Sequence, residues 1–313
     1  MLRLIARRLA SAVPLLLVAT FTLFAMIDFI PGDPAVALDN GDPSLIPYIR
    51  ASLHLNEPLY ERYGRWLLDA IQGNLGTSYS VAHPSVTSLI GSAAPITLSV
   101  FALAIVISTV VAFTLGIIAA IRVGRPLDRV LSALFALFVA TPSFWLGYLF
   151  ILWFGIDLGW LPVLGYAPPS AGLWQWLSHL ILPSVTLAPP LTAQVALQLR
   201  GGLIDAMGRD YILSARAKGL REWAVVGKHA LKNVGAPVAT VVGFQIANLL
   251  GATVIVETVF GLPGIGNLTV QSAEGRDVPT LLGLVLCTTL LVVAVNLVVD
   301  ISYGYFNPKV RTA

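Results

Sequence analysis

Cysteine is all but missing from this chain: Cys287 stands alone among 313 residues. A disulfide framework and a cysteine-based metal site are both excluded, and Cys287, inside an apolar run, reads as a buried thiol. Histidine is nearly as scarce. His54, His83, His179 and His229 sit on different loops or at helix ends without ligand spacing, so no metal site is expected from them. Charge is the third shortage. Asp, Glu, Lys and Arg make up 11% of the chain, and the mean hydropathy is +0.82. Soluble domains carry about 25% charged residues, so an ordinary soluble fold is excluded. The formal charge of +3 is explained by where the cations sit and gives no reason to expect a nucleic-acid partner.

Catalytic and nucleotide-binding signatures are also absent. A P-loop needs Gly-x-x-x-x-Gly-Lys-Ser/Thr, because backbone amides and the lysine together cradle phosphates. The nearest look-alike, Gly202 to Gly208, runs into Arg209-Asp210. Neither Gly-x-Ser-x-Gly nor His-Glu-x-x-His occurs. The middles of the apolar runs hold no ionisable group; Asp28, Asp157, Glu257 and Asp300 lie at or near their ends. Ion-coupled carriers place such groups at membrane depth, so energy for any transport is expected from another polypeptide. An integral membrane enzyme is the rival reading, opposed by the lack of a convergent His/Asp/Glu cluster. A passive channel is a second rival, opposed by the lack of a selectivity filter or charged ring.

What the chain has in abundance is apolar length. A helix crosses a hydrocarbon layer of about 30 Å with about 20 residues. Six runs qualify: Leu9–Ile30, Ile96–Ile121, Val130–Phe154, His179–Leu199, Ala236–Val259 and Thr280–Ile301. Lipid admits only helices and closed barrels, and runs this continuous exclude strands. The expected fold is all-α: a polytopic membrane protein with six transmembrane helices in one domain over residues 1–313. Arg3, Arg7, Arg8, Arg122, Arg125, Arg129, Arg200, Arg209, Arg216, Lys218, Arg221, Lys228, Lys232, Lys309 and Arg311 all fall in alternate segments. Positive charge is retained inside, so both termini are expected in the cytoplasm. Only Arg50, Arg62, Arg65 and Arg276 fall in the opposite set. The first run exceeds the 7–15 residues of a signal-peptide core and lacks a small-residue cleavage site, so it is expected to remain as the first span.

Residues 31–95 form the longest extracytoplasmic segment. It opens on the turn cluster Pro31-Gly32-Asp33-Pro34. Leu59, Tyr63, Trp66 and Leu67 recur at helical spacing and predict a short amphipathic helix. Its apolar face either lies on the membrane or bundle, or docks an extracytoplasmic partner.

The most informative segment is cytoplasmic, residues 200–235. Asp210 can cap a helix with its carboxylate, and Gly219 suits the left-handed position beyond its end. The helix between them has about eight residues, below the roughly 12–15 at which isolated helices become marginal in water. It must be docked to persist, and the loop reads as a mechanical contact surface. Within the spans, polarity is neutral: Gln194 and Gln198 share a face by their i, i+4 spacing, and Gln245, Asn248 and Asn296 follow. These residues either hydrogen-bond between helices or line a solvated path. Pro183, Pro189 and Pro190 are expected to kink or break the fourth span, and Pro142 the third.

Ala215-Arg216-Ala217-Lys218-Gly219-Leu220, followed by His229-Ala230-Leu231-Lys232-Asn233 and Pro237, resembles the cytoplasmic "EAA" loop of ABC-importer permeases of the dipeptide/oligopeptide type. The likeness runs in order through Ile30–Pro34, Thr141–Phe144, Val256–Phe260, Leu262–Gly266, Arg276–Pro279, Asn296–Asp300 and Asn307–Arg311. Two positions depart from the pattern. Leu213 stands where the motif has its Glu, and the tail reads Asn307-Pro308-Lys309 where Asp-Pro-Arg is usual.

The resemblance implies a permease subunit in a prokaryotic cytoplasmic membrane, with no catalysis of its own. It would pair with a homologous second permease subunit and sit above two ATP-binding subunits, which hold ATP and Mg. A substrate-binding protein would deliver peptide at the outer face. ATPase closure would be transmitted through Asp210, Tyr211, Ala215, Arg216, Ala217, Lys218, Gly219 and Leu220. Tyr211 and Ala215, one turn apart, would present an apolar ridge to the ATPase groove, while Arg216 and Lys218 read more simply as positive-inside charges. Gln194, Gln198, Gln245, Asn248 and Asn296 would line the translocation path. The same architecture serves nickel-chelate, glutathione, sugar and opine import.

Overall fold

The computed structural model describes residues 2–27, 36, 44, 46–52, 54–80 and 83–306. The turn cluster Pro31–Pro34, the end of the first apolar run and the tail Asn307–Arg311 lie outside the described residues. Among the described residues the chain is helical, and the single extended pairing is an isolated bridge between Thr77 and Ser85. Two compact units form, one from residues 2–95 with 264–293, the other from 96–263 with 294 onward.

In the first unit, α1 (Leu2–Ile27) and α3 (Leu59–Ile71) pack together, with α2 (Ile46–Ser52) between them in sequence. The amphipathic pattern of α3 places Leu59, Tyr63 and Trp66 against Phe24, Leu282 and Val278. The Tyr63 hydroxyl donates to Leu17 O at 3.2 Å and lies 3.0 Å from Thr20 Oγ1, so the ring is anchored as well as packed. Asp277, before α11 (Val278–Phe306), collects the segment ahead of α4 (Val86–Ile121). Ser78 Oγ donates to it, Tyr79 N–H donates at 3.0 Å and Thr280 Oγ1 at 2.6 Å. Gly283 allows α11 to approach the start of α4, since a Cβ there would lie 2.6 Å from Val86 Cγ1.

The second unit is organised around α7 (Leu173–Met207). Of its apolar stretch 72% is buried, against 28% for α4. Leu180, Leu187, Leu199 and Leu203 are fully buried and join the main core. Small residues permit close helix approach, as is common where lipid supplies no hydrophobic drive between helices. A Cβ on Gly116 of α4 would sit 3.0 Å from Ala196 O. Two serines tie the same pair of helices: Ser108 Oγ donates to Ala188 O and Ser184 Oγ to Val100 O, each at 3.1 Å. Pro183, Pro189 and Pro190 do not divide α7, which runs as one helix of 35 residues. The break falls instead at Thr141-Pro142, where α5 (Pro126–Ala140) meets α6 (Ser143–Phe150). The helical region is disfavoured for the residue before proline, and Thr141 is extended with ψ of 124°. The two helices are bent by 102°, so the third apolar run is not one straight crossing. Past α6 the chain widens into a π-helical turn, Ile151–Asp157.

Among the described residues four helices are long and apolar enough to cross a membrane, with the bent pair as a fifth crossing if it counts as one. These are α4, α7, α9 (Glu222–Val259) and α11, while Ala10–Met26 of α1 is a shorter apolar helix.

Candidate coupling surface and translocation path

The loop after α7 places α8 (Asp210–Ala217) between α7 and α9. Arg209 holds the extended position before the helix, with φ −87° and ψ 151°, and no side chain caps it. Asp210 is therefore the first helical residue, not the cap expected of it. Its carboxylate sits in the first turn, where the helix dipole favours negative charge. The other end closes as a Schellman motif. Gly219 has φ +75°, its N–H donates to Arg216 O at 2.9 Å, and Leu220 N–H donates to Ala215 O at 3.4 Å. The left-handed conformation costs a non-glycine residue about 1–2 kcal/mol, which explains the glycine.

Ile212 and Ala215 point inward, at 0% and 6% exposure, and join the core with Val225, Ala230, Val234 and Leu203. Burying one such aliphatic side chain contributes about 1.5–3 kcal/mol, so this helix, too short to stand alone, is docked on its own chain. The ridge expected from Tyr211 and Ala215 is thus not formed, because Ala215 is turned away from solvent. The exposed apolar set is Tyr211, Leu213, Leu220 and Trp223, the last 74% exposed. Leu213 and Trp223 were not singled out from sequence. Leu213 stands out from sequence only as a departure from Glu, although a leucine on a short helix outside the apolar runs is itself a signal. Ala217 and Lys218 are exposed at the C-terminal end. Arg216 is more than a positive-inside charge: its guanidinium forks onto Glu222, with Nη2–Oε1 at 2.6 Å and Nε–Oε2 at 3.2 Å, and ties α8 to the start of α9.

Beside α8 a cavity of about 480 Å³ is lined by Asp205, Arg209, Tyr211, Asn233 and Pro237. The α7–α9 approach that walls it is close: a Cβ on Gly202 would lie 2.5 Å from Val234 Cγ1. A second brace fixes the turn between α4 and α5. Buried Asp128 accepts from Arg200 Nε at 2.6 Å and Nη2 at 2.8 Å, and from Gly124 N–H at 2.9 Å. This two-pronged pair joins α5 to the C-terminal end of α7.

The neutral polar residues are not gathered into one group. Gln194 and Gln198 are half-buried, one turn apart on α7. On α9, Gln245 is 5% exposed, Asn248 Nδ2 donates to its Oε1 at 3.4 Å, and Asn248 itself is exposed. Gln245 Nε2 is buried with no hydrogen-bond partner. Asn296 is exposed on α11. One acid near a span end is wholly buried: Glu257 accepts from Thr97 Oγ1 at 2.6 Å. Sequence had placed Glu257 near the end of its span without assigning it a partner. Among the described residues no three His, Cys, Asp or Glu side chains converge as metal ligands.

Long helices with neutral interiors, joined on one side by a braced basic loop, define an integral membrane transport subunit. The chain belongs to the family of binding-protein-dependent transport system inner membrane components, whose model matches residues 112–312; the N-terminal model of the same family matches residues 1–101. Members of this family work with a substrate-binding protein and an ATPase. The chain is 37% identical over 309 residues to a probable peptide ABC transporter permease protein, y4tP, of Sinorhizobium fredii, covering 98% of both chains. It is 36% identical over 313 residues to the glutathione transport system permease protein GsiC of Escherichia coli strain K12, covering 99% of each. Among solved structures, the MetNI methionine ABC transporter in an inward-facing conformation matches with a TM-score of 0.58 at 17% identity, over 70% of this chain and 96% of that one. An amino acid ABC transporter with histidines matches at 0.52 and 18% identity, over 70% and 94%. These two likenesses show the fold alone.

Proposed function

We propose that this subunit conducts short peptides through the inner membrane, as half of a pair with a homologous permease, driven by two separate ATP-binding subunits. Six crossings, both termini in the cytoplasm, and delivery by an outer-face binding protein complete the arrangement. α8 is the element on which the ATPases push. The observation that carries this reading is its construction: a helix of eight residues, docked inward by Ile212 and Ala215, closed by Gly219, braced by Arg216–Glu222, and still exposing Tyr211, Leu213 and Trp223. A helix held rigidly from behind and apolar in front passes a push into α7 and α9 without deforming. The apolar face that meets the ATPase is therefore Tyr211, Leu213, Leu220 and Trp223, with Ala215 supporting it from within. In the path, Gln245 and Asn248 offer amides that a peptide backbone can pair with, Asn248 being the exposed one and Gln245 its buried partner.

Peptide is favoured over glutathione by the uncharged span interiors, which suit variable side chains. The test is uptake of labelled tripeptide and of glutathione by liposomes holding the complete complex and its binding protein. Tripeptide uptake that needs ATP and is not displaced by excess glutathione supports the reading. Glutathione uptake alone overturns the substrate.

A further inference from the structure

Arg62 and Arg65 break the positive-inside pattern, and both border one cavity of about 290 Å³ in the first unit. Phe24 of α1, Trp66 and Asp69 of α3, and Tyr79 also line it. Trp66 Nε1 is buried with no hydrogen-bond partner. An unmet buried donor is destabilising, and such a group calls for an acceptor that completes it. Tyr79 adds a second donor: burial, and then the charge of Asp277, push its phenol up to about 12, so it stays protonated. The Arg62 guanidinium lies 5.4 Å from the centre of the Phe24 ring. Arg65 is held at the rim by Glu57, with Nη2–Oε2 at 2.5 Å. With Asp69 and Glu57 present the rim is not strongly cationic, so its selectivity lies in the N–H and O–H donors among the lining residues rather than net charge.

The surroundings say what kind of acceptor arrives. α1 exposes Val13, Leu15, Val18, Phe21 and Met26, and α3 exposes Tyr60, Leu68 and Ile71, on the elements that wall the cavity. Phe21, Phe24, Tyr63 and Trp66 form a continuous aromatic cluster, with neighbouring ring centres 5.2 to 6.5 Å apart. Aromatic rings beside arginines mark the headgroup level of a bilayer. We propose that this cavity binds the phosphodiester headgroup of a membrane phospholipid, with Arg62 and Trp66 Nε1 as its donors. The acyl chains would then run along the exposed flank of α1. Placing the cavity at the outer leaflet rests on the orientation proposed above; the binding itself does not.

The experiment is native mass spectrometry of the intact transporter complex in neutral detergent, titrated with phosphatidylglycerol. Wild type should retain the lipid, and Arg62→Gln and Trp66→Phe should each weaken retention about tenfold, the loss expected for one hydrogen bond to a charged group. Arg129→Gln, in the other unit and outside this lining, should leave it unchanged. Trp66→Phe keeps a ring against Tyr63 and Phe24, so it decides the matter if Arg62→Gln fails to assemble. Retention unchanged in Trp66→Phe overturns the proposal, as does equal retention of diacylglycerol, which has the chains without the phosphate. Displacement of the lipid by equimolar glycerol phosphate would make the ligand a free phosphate and overturn the lipid assignment. Detergent removes sidedness from the measurement, so an error in the orientation would leave these results unchanged and would show separately in cysteine accessibility from the two sides.

Discussion

Gly219→Ala isolates the backbone's part in coupling. Nothing lies within 4 Å of where the new Cβ would be, so the substitution meets no steric obstacle beyond its own φ of +75°. The cost is therefore that of the left-handed conformation, about 1–2 kcal/mol. That is about a five- to thirtyfold loss in the population of the closed cap relative to alternatives. Ile212 still docks the helix, so the complex should assemble, while the hydrogen bonds to Arg216 O and Ala215 O are weakened at the end that turns toward α9. Substrate-stimulated ATP hydrolysis and peptide uptake in liposomes should both fall several-fold with basal hydrolysis kept. Gly219→Asn should recover most of the loss, because asparagine tolerates the left-handed region better than alanine. Wild-type coupling in Gly219→Ala, or Gly219→Asn being as damaging as Gly219→Ala, would refute the reasoning.

Two further outcomes follow from the polar groups. Asp128→Ala strands Arg200, which is 26% exposed where Asp128 is 4%, and should lower the stability of the complex by about 3 kcal/mol, the lower end for a broken buried pair. The double variant Asp128→Leu/Arg200→Met should recover most of that in thermal unfolding; no recovery would mean the charges act separately. Gln245→Leu with Asn248→Leu should reduce peptide uptake while leaving assembly intact, and undiminished uptake removes both from the path.

The membrane character of the fold was legible because apolar length and scarce charge are properties of composition. Gly219 was legible for a local reason: a left-handed cap is a requirement on one residue. The inward face of α8 was not. Over eight residues a helix makes barely two turns, and which turn faces the core is decided by Val225, Ala230 and Val234 arriving from α9. The burial of Glu257 was hidden likewise, since Thr97 lies 160 positions away in sequence. Three prolines in the fourth apolar run pointed to a break, yet α7 continues through them, packed on several sides. The single Thr141-Pro142 step in a less buried helix gives the sharp bend.

Site-directed crosslinking at α8 tests the central claim most directly. Cysteine is placed at Leu213 and, as the inward control, at Ala215, in a background with Cys287 replaced, and the complete complex is treated with a short crosslinker that is thiol-specific at one end and photoactivated at the other. If α8 is the push element, Leu213→Cys links to the ATPase subunit with a yield that changes when ATP binds, and Ala215→Cys does not link. Equal linkage from both positions, or none from Leu213→Cys in an assembled and ATP-hydrolysing complex, would contradict the account.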